Sequence, residues 1–167
     1  MSMDTKQHDD PPVATPSQTV GPFFHFGLKN AAGTAEGSAP ERITIAVRVL
    51  DGDGAPVGDA MVEFWSLAPG SRIAESGRVA TGVDGGCSVE VVQPQSHVNL
   101  CIFARGLLHH VFTRIYFAGD EALDRDPVLA LVATGRRHTL IAQPDGSGRW
   151  LFDIRLQGPD ETAFFTQ

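Results

Sequence analysis

Ile43-Thr44-Ile45-Ala46-Val47-Arg48-Val49-Leu50 is followed at once by Asp51-Gly52-Asp53-Gly54. β-Branched residues recur at alternate positions of the first run, which puts Ile43, Ile45, Val47 and Val49 on one face of a strand. The second run is a turn sequence, because Gly tolerates positive φ and Asp can bond its own backbone. Met61 to Ser66 then returns as a second strand, which reads as a hairpin whose two strands face or neighbour each other. The rhythm continues at Arg78 to Thr81, Cys87 to Val92, His97 to Ala104, Leu107 to Phe117, Arg137 to Ile141 and Trp150 to Leu156, with a Val83-Asp84-Gly85-Gly86 turn before Cys87. Short strands punctuated in this way predict an all-β sandwich with few or no helices. The helical candidate is Asp126 to Val132, a single short turn in which Asp126 caps and Pro127 takes the first helical position.

Outward from that strand, the 167 residues suit one domain able to bury a core without disulfides or a structural metal. Lys29 to Arg42 is rich in Gly, Ala, Ser and Glu and reads as a flexible connection, so residues 1–42 form an N-terminal arm and linker and 43–167 the sandwich. A hydrophobic content of 42% argues against a disordered chain, and apolar runs such as Val128 to Ala133 are too short to span a bilayer. Met1 to Val13 is polar and lacks the apolar core of a secretory signal, so a cytoplasmic location is expected. Cys87 and Cys101 lie inside strand-like runs and are expected to be free, buried thiols. The net charge of -7, with Arg136-Arg137 as the one cluster of cations, removes the electrostatic footprint of nucleic-acid binding. An anionic small molecule would need one well-placed arginine to attract it locally.

Familiar signatures are missing. Asp51-Gly52-Asp53-Gly54 starts like a calcium loop, but the sixth and twelfth positions, where such a loop needs Gly and Glu, hold Pro56 and Val62. There is no nucleophile elbow, phosphate-binding loop, dinucleotide fingerprint or His-Glu-x-x-His. His109 and His110 are adjacent, so on a strand they point to opposite faces and cannot chelate one metal together.

His97 heads the run His97-Val98-Asn99-Leu100-Cys101-Ile102-Phe103-Ala104-Arg105-Gly106, which leads on to Thr113-Arg114-Ile115-Tyr116-Phe117. This stretch resembles the intradiol ring-cleaving dioxygenases, which carry a His-x-His pair followed by a Thr-x-x-Tyr-Phe strand. Thr15-Pro16-Ser17-Gln18-Thr19-Val20-Gly21-Pro22-Phe23 is similar to the N-terminal arm of that family. Phe152-Asp153-Ile154-Arg155-Leu156-Gln157-Gly158 through Glu161-Thr162-Ala163-Phe164-Phe165 is similar to its C-terminus. With the strand ending at Glu63-Phe64-Trp65, the segments cover most of the chain after Ala14. The resemblance implies a ferric ion held by two tyrosines and two histidines, since hard Fe(III) is stabilised by anionic phenolates.

This chain has a single tyrosine, Tyr116, which matches the tyrosine of the Thr-x-x-Tyr-Phe strand and not a ligand, and Asn99 stands where the second histidine would be. The resemblance is therefore to the α subunits of protocatechuate 3,4-dioxygenases, which lack the metal ligands and line the pocket of a homologous iron-bearing β subunit. It implies no metal or catalytic residue here, Fe(III) in the β partner, an αβ hetero-oligomer, a small aromatic acid as substrate, and Thr19, Gly21, Pro22, Phe23 and Arg105 bordering the pocket. His97 is then a hydrogen-bonded structural residue. Phe23 departs from the tyrosine typical of the family. Leu67 to Gly77 and Pro94 to Ser96 are short where the ligand tyrosines would lie. Two rivals are a β-sandwich binding or assembly module without enzymatic role, and an independent metal enzyme using His25, His97 and His109, which no ligand spacing supports.

Overall fold

In the computed structural model, which describes Pro16 and residues 18–21, 41–72 and 74–166, the alternating run forms strand β1 (Arg42–Leu50), with Ile43, Ile45, Val47 and Val49 all buried. The other strands are β2 (Met61–Ser66), β3 (Glu75–Ala80), β4 (Gly86–Val92), β5 (Val98–Phe103), β6 (Val111–Phe117), β7 (Ile141–Pro144) and β8 (Arg149–Arg155). They hydrogen-bond in the order β3-β2-β5-β6-β7-β8-β1-β4. The two ends of that order, β3 and β4, approach each other, so the sheet is nearly closed. It works as two stacked halves, β3-β2-β5-β6 and β7-β8-β1-β4, joined by a parallel contact of β6 with β7 that spans Tyr116 and Phe117 alone. One core fills the space between them, with Ile45, Val47 and Val49 from β1 meeting Val62, Leu100, Ile102 and Ile115 from the opposite half. Apolar area removed from water there supplies the main stabilisation.

A second, smaller core lies under the segment after β6, where Tyr116, Leu129, Leu140 and Ala163 pack together. The short helix α1 (Pro127–Leu131) forms as read from the sequence. Pro127 presets the first turn, and the Asp126 carboxylate accepts hydrogen bonds from the backbone N–H groups of Val128 and Leu129 at 2.9 and 2.8 Å.

Four local expectations are corrected. Asp51 to Gly54 is a turn, with Asp51 Oδ1 accepting from the N–H groups of Asp53 and Ala55, but it does not make a β1–β2 hairpin. β1 instead pairs with β8 in parallel and with β4 in antiparallel, and β2 pairs with β3 and β5. Arg137 to Leu140 is not strand, and β7 begins only at Ile141. A 3₁₀ run occupies Thr134–Leu140, and Arg137 turns back so that its guanidinium donates to Val132 O and Ala130 O, carbonyls that the end of α1 leaves unpaired. Leu107 to His110 is likewise a connection and not the start of β6, because the chain turns at Ala104-Arg105-Gly106. β3 extends further back than read, through Gly77, whose missing side chain leaves room for the Phe64 ring. An added Cβ would sit 2.6 Å from Phe64 Cζ.

Candidate functional site

Arg105 sits at the tip of the turn between β5 and β6, held from below by buried Ala104. Its guanidinium forms an ion pair with Asp59, yet 62% of the Arg105 side chain remains accessible. The N-terminal arm reaches the same turn: Thr19 Oγ1 accepts a hydrogen bond from Gly106 N at 2.9 Å. Thr19 and Gly21 are exposed. The fold thus joins Thr19 to Gly106, the neighbour of Arg105, across 87 positions of sequence, while Pro22 and Phe23 lie outside the described residues. Asp59 is the member of this corner that sequence reasoning missed, since nothing near it in the chain marks it as a partner of Arg105.

A second polar group occupies the outer face of the β2-β5-β6 sheet. Trp65 on β2 is opposite Asn99 on β5, and Asn99 is opposite Arg114 on β6. Next to this row the His97 ring lies against Tyr116 with centroids 5.7 Å apart, and Ser96 Oγ is 2.8 Å from His97 Nδ1. The Tyr116 hydroxyl donates to Asp126 Oδ1 at 2.9 Å and receives a long bond from Arg114 Nη1 at 3.4 Å. Burial, with the Arg114 charge adding to it and Asp126 opposing, pulls the His97 pKa below its ordinary value. Burial pushes the Tyr116 hydroxyl up. For Asp126 burial alone would raise the pKa, but the N–H of Leu129, the Tyr116 hydroxyl and the N–H of Val128 outweigh it and hold the carboxyl low.

The sign of the His97 shift fixes a pH response. The unfolded chain, with an ordinary histidine near pKa 6.5, binds a proton that the folded chain refuses, so stability is full above that value and falls as pH drops below it. Urea unfolding of the full chain should show a lower midpoint at about pH 5.5 than at about pH 7.5, with His97→Gln removing part of the difference. An identical pH dependence in the variant would show that His97 does not titrate in this surrounding.

These residues do not suit a ferric ion. His97 is tied to Ser96, Asn99 offers a neutral amide, and the Tyr116 hydroxyl is engaged with Asp126. The row also carries the Arg114 cation, which opposes a trivalent metal. Among the described residues, no group of three or more His, Cys, Asp or Glu could hold a metal ion. Cys87 and Cys101 are free, and burial pushes both thiols up to about 12, which leaves them without thiolate nucleophilicity at neutral pH. An open trough of about 910 Å³ crosses the outer face of the other half, between Arg48, Ser88, Leu151 and Asp160. It shares no residue with the Arg105 corner, and its lining includes a two-pronged Arg48–Asp153 pair at 3.0 and 2.6 Å. The corner has the better claim, because two separate chain segments converge there around an accessible cation. No helix among the described residues is long and apolar enough to cross a membrane.

No family model matches the chain. It is 41% identical to the protocatechuate 3,4-dioxygenase alpha chain of Burkholderia cepacia, over 90% of this chain and 96% of that one. With the corresponding alpha chain of Pseudomonas putida it shares 36% identity, over 90% and 95%. The beta chain of the Burkholderia enzyme is a more distant relative, 26% identical over 87% of this chain and 77% of that one. Among solved structures, the dioxygenase domain of a carbohydrate-binding fusion from Streptomyces sp. SirexAA-E superposes with a TM-score of 0.61 at 22% identity, covering 87% of this chain and 99% of that domain, which supports the fold. The extent of the two alpha-chain matches, 41% and 36% identity over 90% of the chain, leads to one conclusion: the chain belongs to the protocatechuate 3,4-dioxygenase alpha-chain family.

Proposed function

We propose that this chain works as the non-iron-binding α subunit of a protocatechuate 3,4-dioxygenase, against a homologous β subunit that holds Fe(III). In that enzyme both atoms of O2 enter protocatechuate, the bond between the two hydroxyl-bearing carbons breaks, and 3-carboxy-cis,cis-muconate results. The iron of the β subunit would supply the oxygen chemistry. This chain would close the pocket, exclude water and orient the ring carboxylate, for which Arg105 is the candidate cation. The observation that carries this reading is the hydrogen bond from Gly106 N to Thr19 Oγ1, which fastens the arm to the Arg105 turn. Two distant segments are thereby joined beside an exposed guanidinium that, among the described residues, pairs with one acid, Asp59.

The test is to express the chain alone and with a β-type partner from the same source, then to measure bound iron, the phenolate-to-iron absorption band and oxygen uptake with protocatechuate. Iron, colour and turnover are expected in the complex, and none in this chain alone. Failure to co-purify with any such partner would favour the module reading, and colour in the isolated chain would overturn the assignment. In the active complex Arg105→Ala should raise KM for protocatechuate about tenfold with little change in kcat, the pattern for a lost ground-state contact. An unchanged KM would remove Arg105 from the pocket.

A further inference from the structure

Among the described residues, Arg114 is a half-buried cation without an acid. A guanidinium has five N–H donors, and charges taken out of water are ordinarily paired. Among the described residues Arg114 makes one hydrogen bond, the 3.4 Å contact to the Tyr116 hydroxyl, and no carboxylate stands within ion-pair distance. The two acids on this face are already engaged. Glu63 pairs with Arg78 at 2.5 Å, and Asp126 accepts from Tyr116 while capping α1.

The surroundings of Arg114 have a definite chemistry. Period-two alternation sets Phe112 and Tyr116 on either side of it along β6, and Cys101 next to Asn99 on the same face of β5, with His97 just before that strand. Trp65 and Phe112 meet edge to face with centroids 6.3 Å apart, forming an aromatic wall beside the cation. The Asn99 amide has donor capacity left, since its Nδ2 makes a single contact of 3.5 Å, to Trp65 O. Trp65, Asn99, Phe112 and Arg114 are each partly accessible. A fork of N–H donors next to a ring wall matches a flat acid: two carboxylate oxygens on the guanidinium, an apolar body against the rings.

We propose that Arg114, with Asn99, Trp65 and Phe112, forms a binding site for a small planar carboxylate, an aromatic or conjugated acid, on the sheet of this chain itself. The site requires neither the partner nor the Arg105 corner, so its fate is independent of the reading above. Its consequence is that the chain would bind such an acid without transforming it, since the row offers no metal ligand set.

The probe is radiolabelled benzoate in equilibrium dialysis against the full chain, with intrinsic tryptophan fluorescence as a second readout. One benzoate per chain is expected. Arg114→Gln should weaken it about tenfold or more, as expected for loss of a charge-assisted bidentate contact. Benzamide, which keeps the ring and loses the charge, should not compete. Should Arg114→Gln fail to fold by circular dichroism, Asn99→Ala serves as the second variant, with weaker binding expected. Equal affinity in a folded Arg114→Gln chain, or full competition by benzamide, would overturn the proposal. So would absent benzoate binding together with loss of β-type partner co-purification in Arg114→Gln, which would assign the guanidinium to a carboxylate of that partner.

Discussion

Gly85→Ala is expected to lower the unfolding free energy by about 3 kcal/mol, among the largest single-residue effects available in this chain. Gly85 has φ of 73°, a conformation that costs any residue with a side chain, and the backbone space around it is already filled. An added Cβ would lie 2.6 Å from Val49 O and 3.1 Å from Pro56 Cβ. Neither can move freely: Val49 is a buried member of β1, and its N–H donates to Gly85 O at 2.9 Å. The turn before β4 is thus locked against the end of β1. Gly54→Ala is the control, since its φ is also positive at 79° but its added Cβ meets nothing nearer than Arg155 Nη1 at 3.7 Å. That variant should lose about 1 kcal/mol, the conformational cost alone. Urea unfolding midpoints compare the two, and equal losses would show that the close approach to Val49 relaxes without penalty.

Asp126→Ala is expected to cost a similar amount, about 3 kcal/mol, through two separate mechanisms. One carboxylate oxygen caps α1 at the N–H groups of Val128 and Leu129 and also accepts from the Tyr116 hydroxyl. Removing it frays the helix and leaves a hydroxyl on a nearly inaccessible tyrosine without its acceptor. The two parts separate in a double-mutant cycle: in a Tyr116→Phe background the loss from Asp126→Ala should shrink to the capping share, about 1 kcal/mol. Strict additivity would sink the claim that the two side chains act together. Because the folded carboxyl is held low, its contribution is present above the ordinary carboxylate pKa and is lost as pH falls through and below it. Acid unfolding should therefore begin at higher pH in the wild type than a chain lacking shifted groups would show, with His97 adding to the loss between neutral pH and the carboxylate range.

The features legible in the sequence are those set over a few neighbouring residues. Ile43, Ile45, Val47 and Val49 face one way because a strand repeats every two residues. Asp126-Pro127 starts a helix because a carboxylate and a fixed φ suit its first turn. The count of one tyrosine likewise rules out a two-tyrosine ligand set within this chain without any coordinates. The misreadings have a common cause. Arg137 looks like a strand residue until α1 presents open carbonyls for it to bond, and Asp51-Gly52-Asp53-Gly54 looks like a hairpin until β8 and β4 take both edges of β1. Local propensity gives way there to pairing between distant segments.

The sequence by itself therefore determined the strand faces, the capped helix and the presence of a single tyrosine, because each depends on spacing or on residue identity. Tertiary structure decided which strands adjoin, that Thr19 meets the turn of Arg105, that Arg105 pairs with Asp59, and that Arg114 lies in one cross-strand row with Asn99 and Trp65 and, among the described residues, has no acid. Those juxtapositions are made by loop closures across tens of residues, whose energies are repaid by a shared core and leave no trace in any short stretch of chain.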